Sequence, residues 1–179
     1  EEIFFGELER AAAANDIVLF SGGSSVGMRD LGERVIGKLG NPGILVHGVA
    51  LKPGKPIIIG LSNDTAIFGL PGHPVSAMVC FELFVAPAIE KFAGVAAAQT
   101  LPRPSITAQL DRNINSAAGR LDLVRVRLQN QKHGPPLAVP VLGKSGSIST
   151  LSRAHGYFFI DEPSQGLNRG SLVEVHLLV

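Results

Sequence analysis

The sequence predicts a three-layer α/β domain, incomplete at its N-terminus, followed by a small all-β, barrel-like domain. Three observations lead there. Short apolar runs alternate with helical patterns up to Gly94, and beyond it short apolar runs separated by Gly, Asn and Pro turns dominate. The charge balance changes sign at the same place. Residues 1–94 carry 7 Lys/Arg against 10 Asp/Glu, a balance of −3, whereas residues 95–179 carry 9 against 5, a balance of +4. Ordinary surface variation also describes such a change, so the charge supports the boundary only together with the pattern. Finally, the chain opens on a helix and holds only part of the strands that an open sheet covered on both faces needs. Earlier strands are therefore expected ahead of Glu1, and the domains are expected at 1–94 and 95–179.

The elements follow in order. Residues 3–14 read as a helix ending at Asn15, and 16–20 (DIVLF) as a short buried strand. A glycine-rich loop, Ser21 to Gly27, comes next, with Asp30 placed to cap a helix running to about Leu39. Gly40, Asn41 and Pro42 break it. Residues 44–51 read as a strand, Lys52-Pro53-Gly54-Lys55-Pro56 as a turn, and 57–60 and 66–69 as strands. Pro71-Gly72-His73-Pro74 opens the longest helix, about 75–92, because a proline in the first turn forfeits no hydrogen bond. Pro87 is expected to kink that helix by removing one. Ala96–Ala98 reads as linker. Residues 104–111, 121–128, 137–142, 156–160 and 171–179 read as strands; 121–128 and the last segment show partial alternation with period two.

Several function classes are excluded at this level. No apolar run reaches the roughly 20 residues that span a bilayer, and no secretory signal is visible. The single cysteine, Cys80, cannot form an internal disulfide and reads as a small buried hydrophobe. Both facts fit a cytoplasmic protein. No cluster of Lys/Arg with interleaved aromatics points to nucleic acid. The five histidines show no metal-ligand spacing. Gly143-Lys144-Ser145 resembles the end of a phosphate-binding loop, but Ala138 stands where the first glycine belongs. Asn63-Asp-Thr65 matches a glycosylation acceptor without a secretory context. Neither a Ser-His-Asp triad nor a pair of carboxylates is evident.

What remains is a set of turns suited to anions. Ser21-Gly22-Gly23-Ser24-Ser25-Val-Gly27 joins a strand to a helix at the strand's carboxyl end, where open α/β sheets bind ligands. Its glycines let backbone N–H groups approach a phosphate, and its serines add donors; a plain glycine turn is the competing description. Lys52 and Lys55 flank a rigid Pro-Gly turn, a compact cationic pocket or else two solvated lysines. Pro71-Gly72-His73-Pro74-Val-Ser76 repeats the strand-to-helix glycine turn, with Ser76 as an anion donor or as a simple helix-start residue. A fourth group comprises Gly119-Arg120, Arg125 and Gly143 to Ser147.

The order of these turns resembles the molybdopterin molybdotransferase (MoeA) family, which includes the carboxyl-terminal domain of gephyrin. The similarity runs through Ser21–Asp30, Lys52–Pro56 and Gly69–Ser76, then Gly119–Arg125, Gly143–Ser147 and Gly156–Val175, and covers nearly the whole chain. The resemblance implies an N-terminally truncated piece with a MogA-like, Rossmann-like pterin-binding domain and the family's last β-domain. It implies insertion of molybdate into adenylylated molybdopterin with release of AMP, helped by Mg2+. By the same token Asp30, Lys52, Lys55 and Arg125 are the catalytic residues, with Asp30 near the metal. Ser21, Gly22, Gly23, Ser25, Pro56, Pro71, Gly72, Pro74, Ser76 and Ser147 bind substrate. The implied partners are small molecules, a second copy of the full-length protein and the upstream adenylyltransferase, with no nucleic acid or membrane; the piece alone is expected to be inactive. Two departures stand out: His73 replaces the usual asparagine, and Gly48 stands where some members have lysine. A lone adenylyltransferase of MogA type and a non-catalytic, gephyrin-type scaffold module are the alternative functions.

Overall fold

A computed structural model describes residues 1–22, 26–95, 104–143, 146 and 148–178, with the backbone alone at 26–30. Two compact units emerge, the first from residues 1–49 and 54–100, the second from 50–53 and 101–179. The fold class is as expected, an α/β domain followed by a small β-barrel. The boundary at Gly94 does not account for residues 50–53, which lie with the second unit.

In the first unit, helix α1 (Glu2–Ala14) leads into strand β1 (Ile17–Ser21), and helix α2 (Val26–Lys38) into strand β2 (Pro42–His47). The two-residue strand β3 (Leu51–Lys52) leaves for the second unit, and β4 (Ile58–Ser62) and β5 (Thr65–Leu70) return as a hairpin. The sheet order is β1-β5-β4-β2, with β1 parallel to β5 and the other pairs antiparallel. Alternation along the strands puts Val18, Ile58 and Ile67 on one face, where they form a core with Leu8 of α1 and Val35 and Ile36 of α2. Helix α3 (Pro74–Cys80) follows β5 and is apolar on the buried side through Val75, Val79 and Cys80.

Two expectations need correction here. The strand read over 44–51 ends at His47, because Gly48 takes φ +80° and turns the chain. Asp30 does not cap a helix: α2 begins four residues earlier, at Val26, so Asp30 sits within it. The expected kink at Pro87 takes the form of a π-helical turn, Phe81–Val85, between α3 and helix α4 (Ala86–Phe92). The Ala86 N–H donates to the Phe81 carbonyl, five residues back. Widening the turn just before the proline relieves the clash and the missing donor that its ring imposes.

The second unit contains β6 (Ser105–Leu110), β7 (Ile114–Asn115), β8 (Leu121–Gln129), β9 (Leu137–Pro140), helix α5 (Ser149–Ser152), β10 (Gly156–Ile160), β11 (Gly166–Leu167) and β12 (Leu172–Leu177). The order β10-β12-β6-β9-β8 closes on itself because β10 also pairs with β8. Closure removes the open edges that would otherwise invite other strands. The interior is filled by Ala108, Leu110, Val126, Ala138, Phe158, Ile160, Val173 and Val175. All five predicted strands are present. The pair β7–β11, the single-turn α5 and β3 are too short to carry a periodic signal, and pattern reading does not find them.

Candidate functional site

Register along the first sheet decides which turns lie together. Ser21 at the end of β1 pairs with Leu70 at the end of β5. Because these strands are parallel, the Ser21-Gly22 turn and the Pro71-Gly72-His73 turn leave the sheet side by side, each heading into a helix. Ile58, the first residue of β4, pairs with Gly69, so the Lys55-Pro56 turn enters at this same edge. His47 pairs with Ile58, which brings Gly48 there too. Neighbouring strands stand about 4.8 Å apart, so from β1 to β2 the edge spans roughly 14 Å.

Each bend has a local cause. Gly22 adopts φ +126°, outside the reach of most side chains, and starts the loop between β1 and α2. Gly23, Ser24 and Ser25 lie outside the described residues. Pro71 is buried, while Gly72, His73 and Pro74 are exposed. His73 precedes α3 with its carbonyl accepting from the Ala77 N–H at 2.9 Å, and its side chain caps nothing. Ser76 is buried in the first turn, behind Pro74.

The lysine turn is tied down by backbone hydrogen bonds. Gly48 N–H donates to Ile57 O at 2.8 Å, Val49 N–H to Lys55 O at 3.0 Å and Ile57 N–H to Gly54 O at 3.3 Å. The buried Cys80 thiol donates to Gly54 O at 3.4 Å, linking α3 to the turn. Burial pushes that thiol up to about 12, which keeps it protonated and a donor. Gly48 is constrained twice over. Its φ is +80°, and a Cβ there would stand 3.2 Å from Lys55 O. A side chain at this position would therefore strain the turn that presents Lys55.

The remaining cations of the expected site belong to the second unit. Lys52, on β3, lies opposite Asp122 on β8 and holds its Nζ 3.5 Å from the Asp122 carboxylate. Arg125, also on β8, is buried and donates to the Thr150 hydroxyl on α5. Desolvation lowers the guanidinium's affinity for its proton. The alternation of β8 turns Arg125 away from the barrel core that holds Val126, and α5 covers it. Ser147 lies outside the described residues, as does the side chain of Asp30. Asp122 was not singled out by sequence reasoning, although an acid two residues after Arg120 and opposite a lysine-bearing turn is the available signal.

The arrangement on the first unit offers backbone and hydroxyl donors at the ends of two parallel strands, with Lys55 beside them. Such an edge suits an anion held by a helix N-terminus and glycine backbone. Among the described residues no helix is long and apolar enough to cross a membrane.

Comparison with known proteins agrees with this layout. A family model described as a probable molybdopterin binding domain matches residues 2–91, and one described as the MoeA C-terminal region (domain IV) matches residues 107–178. A Methanocaldococcus jannaschii protein named for molybdopterin biosynthesis is 37% identical over 96% of the chain and 38% of its own length. The molybdopterin molybdenumtransferase of Haemophilus influenzae is 32% identical over 94% of the chain and 42% of its own. Among solved structures, the molybdopterin biosynthesis MoeA protein of Pyrococcus horikoshii superposes with a TM-score of 0.77 at 33% identity, covering 97% of this chain and 40% of that one. The chain thus spans about 40% of the length of the curated relatives it matches.

Proposed function

The chain belongs to the MoeA family, its molybdopterin-binding domain followed by a MoeA C-terminal region, and from that premise we propose that it serves molybdenum cofactor biosynthesis. The intact protein would act as a transferase that inserts molybdate into the dithiolene of adenylylated molybdopterin and releases AMP. The observation that carries the proposal is the register Ser21↔Leu70 with Ile58↔Gly69, which sets two glycine turns and the Lys55 turn along one sheet edge. Ser21, Gly22, Gly23 and Ser25 are the donors proposed for the pterin phosphate, with Pro71, Gly72, Pro74 and Ser76 beside them. Lys52, Lys55 and Arg125 are the cations proposed for the oxyanion, with Pro56 and Ser147 adjacent in sequence to these groups' turns. A dianionic oxyanion and an anionic dithiolene repel, and fixed cations that need no reorganisation offset that repulsion.

Magnesium, with Asp30 as its carboxylate, belongs to the same proposal. Among the described residues there is no group of three or more His, Cys, Asp or Glu side chains able to hold a metal. A homodimer of the intact protein, a contact with the adenylyltransferase that supplies its substrate and a cytoplasmic location complete the reading. The match of residues 107–178 to the MoeA C-terminal region speaks against a lone adenylyltransferase domain.

The test is molybdate-dependent AMP release by the intact protein. Lys52→Ala and Lys55→Ala are each expected to lower it about 10- to 100-fold, the scale of a lost hydrogen bond to a charged group. Unchanged rates in both variants would remove the lysine turn from the chemistry. An intact protein that binds the pterin yet releases no AMP would favour the scaffold function.

A further inference from the structure

We infer that Arg120 is a positioning residue: by occupying the Asp122 carboxylate it holds the Lys52 ammonium in place and leaves that ammonium's charge free for an oxyanion. The inference deepens the reading of Lys52 given above and rests on it. Asp122 is 4% exposed at the start of β8, and a buried carboxylate needs partners. It has two. Arg120 places Nε 2.7 Å from Oδ1 and Nη2 3.4 Å from Oδ2. Lys52 places Nζ 3.5 Å from Oδ2.

The two contacts are unequal. Arg120 makes a two-point contact of the kind a planar guanidinium favours, and its Nε bond is short. Lys52 makes one long contact, and its side chain is 58% exposed. The backbone beneath it is fixed, because β3 pairs with β8 at Leu51↔Leu121 and Lys52↔Asp122, and Leu121 N–H donates to Ala50 O at 2.8 Å. Two cations on one carboxylate leave a net charge of +1, and the geometry puts it on Lys52. Without Arg120, Asp122 would have Lys52 as its ion-pair partner among the described residues. The ammonium would then be drawn inward and largely neutralised. Lysine is otherwise a flexible point charge, and orienting it in advance spares the rotamer entropy that anion binding would cost.

The test is calorimetric titration of the intact protein with sodium molybdate at physiological ionic strength, in a double-mutant cycle. Arg120→Gln is expected to weaken molybdate binding about tenfold, the size of one uncompensated carboxylate beside an ammonium near the surface. Arg120→Lys, which keeps the charge and loses the fork, should recover part of it. In a Lys52→Ala background, Arg120→Gln should change affinity by less than about twofold, because its route to the anion is gone. Equal weakening in both backgrounds would mean that Arg120 meets the anion directly or only through the general field, and would overturn the positioning role while sparing Lys52. No weakening by Arg120→Gln in the Lys52 protein would overturn it as well. Molybdate binding that is undiminished by Lys52→Ala would instead remove Lys52 from the site, and this inference with it.

Discussion

Gly69→Ala offers a sharp check on the sheet edge that carries the proposed site. Phe20 and Gly69 are register partners, one residue before Ser21 and Leu70. A Cβ on residue 69 would stand 2.6 Å from Phe20 Cζ and 3.0 Å from Cε2, where ordinary contact begins at 3.4 Å. The ring must therefore move by most of an ångström, and it has little room. Gly32 of α2 also lies so close that a Cβ there would be 3.3 Å from the ring, and Phe4 meets the ring edge-on at 5.3 Å between centroids. Overpacking of this kind costs about 1–3 kcal/mol. Replacing a strand glycine recovers about 0.5–1 kcal/mol of backbone entropy. The net expectation is a loss of about 1–2 kcal/mol, read as a lower urea midpoint at unchanged slope. In a Phe20→Leu background, which removes the ring tip, Gly69→Ala should be neutral or mildly stabilising. The pair should thus couple by about 1–2 kcal/mol, within the range for residues in contact. If Gly69→Ala costs the same in the Phe20→Leu background as in the parent, the ring does not sit over Gly69 and the register argument for the edge is wrong.

Two further outcomes are expected. Gly48→Ala should cost about 1–2 kcal/mol of stability, read as a lower urea midpoint, the cost of a side chain in the left-handed region, with further strain from the 3.2 Å approach to Lys55 O; a midpoint equal to the parent's would contradict the turn as described. Cys80 has a folded-state value raised from 9.0 to about 12, so its contribution to stability is fully present below pH 9 and fades as pH rises toward 12. The unfolding free energy measured by urea titration from pH 8 to pH 11 should therefore fall more steeply in the parent than in Cys80→Ala, by up to about 1.4 kcal/mol per pH unit; parallel profiles would show that the thiol titrates normally.

How much of this was legible depends on what each feature needs from its neighbours. The first sheet's strands are short apolar runs bounded by turn residues, and two of the five barrel strands alternate in part, so local composition reveals them without tertiary knowledge. The helix start at Val26 was misplaced because Asp30 has the chemistry of a cap, and nothing local says that the glycine loop is short enough for the helix to begin before it. Arg125 is legible as a cation but not as a buried one. Its burial depends on α5, a single turn whose Thr150 reaches it from a distant part of the chain. The glycine turns were readable as anion-suited types; that two of them leave the sheet together follows only from the parallel pairing of β1 with β5, a long-range fact.

The lysine turn shows where motif reading stops in the most consequential way. Lys52-Pro53-Gly54-Lys55-Pro56 looks like one cationic device, yet its two lysines answer to different neighbours. Lys55 O accepts from Val49 N–H, and Cys80 secures Gly54, so that lysine's placement depends on the α/β unit. Lys52 pairs through β3 with β8 and through its ammonium with Asp122, so its placement depends on the barrel. Residue types and spacing cannot express that division, because both halves are equally polar and equally close in sequence. It implies that changes to the barrel rim, such as those at Arg120 or Asp122, act on one lysine of the motif and spare the other. A substitution that slackened both lysines equally would mean the turn is a single mobile loop, and the separate anchoring of its two ends would count for nothing.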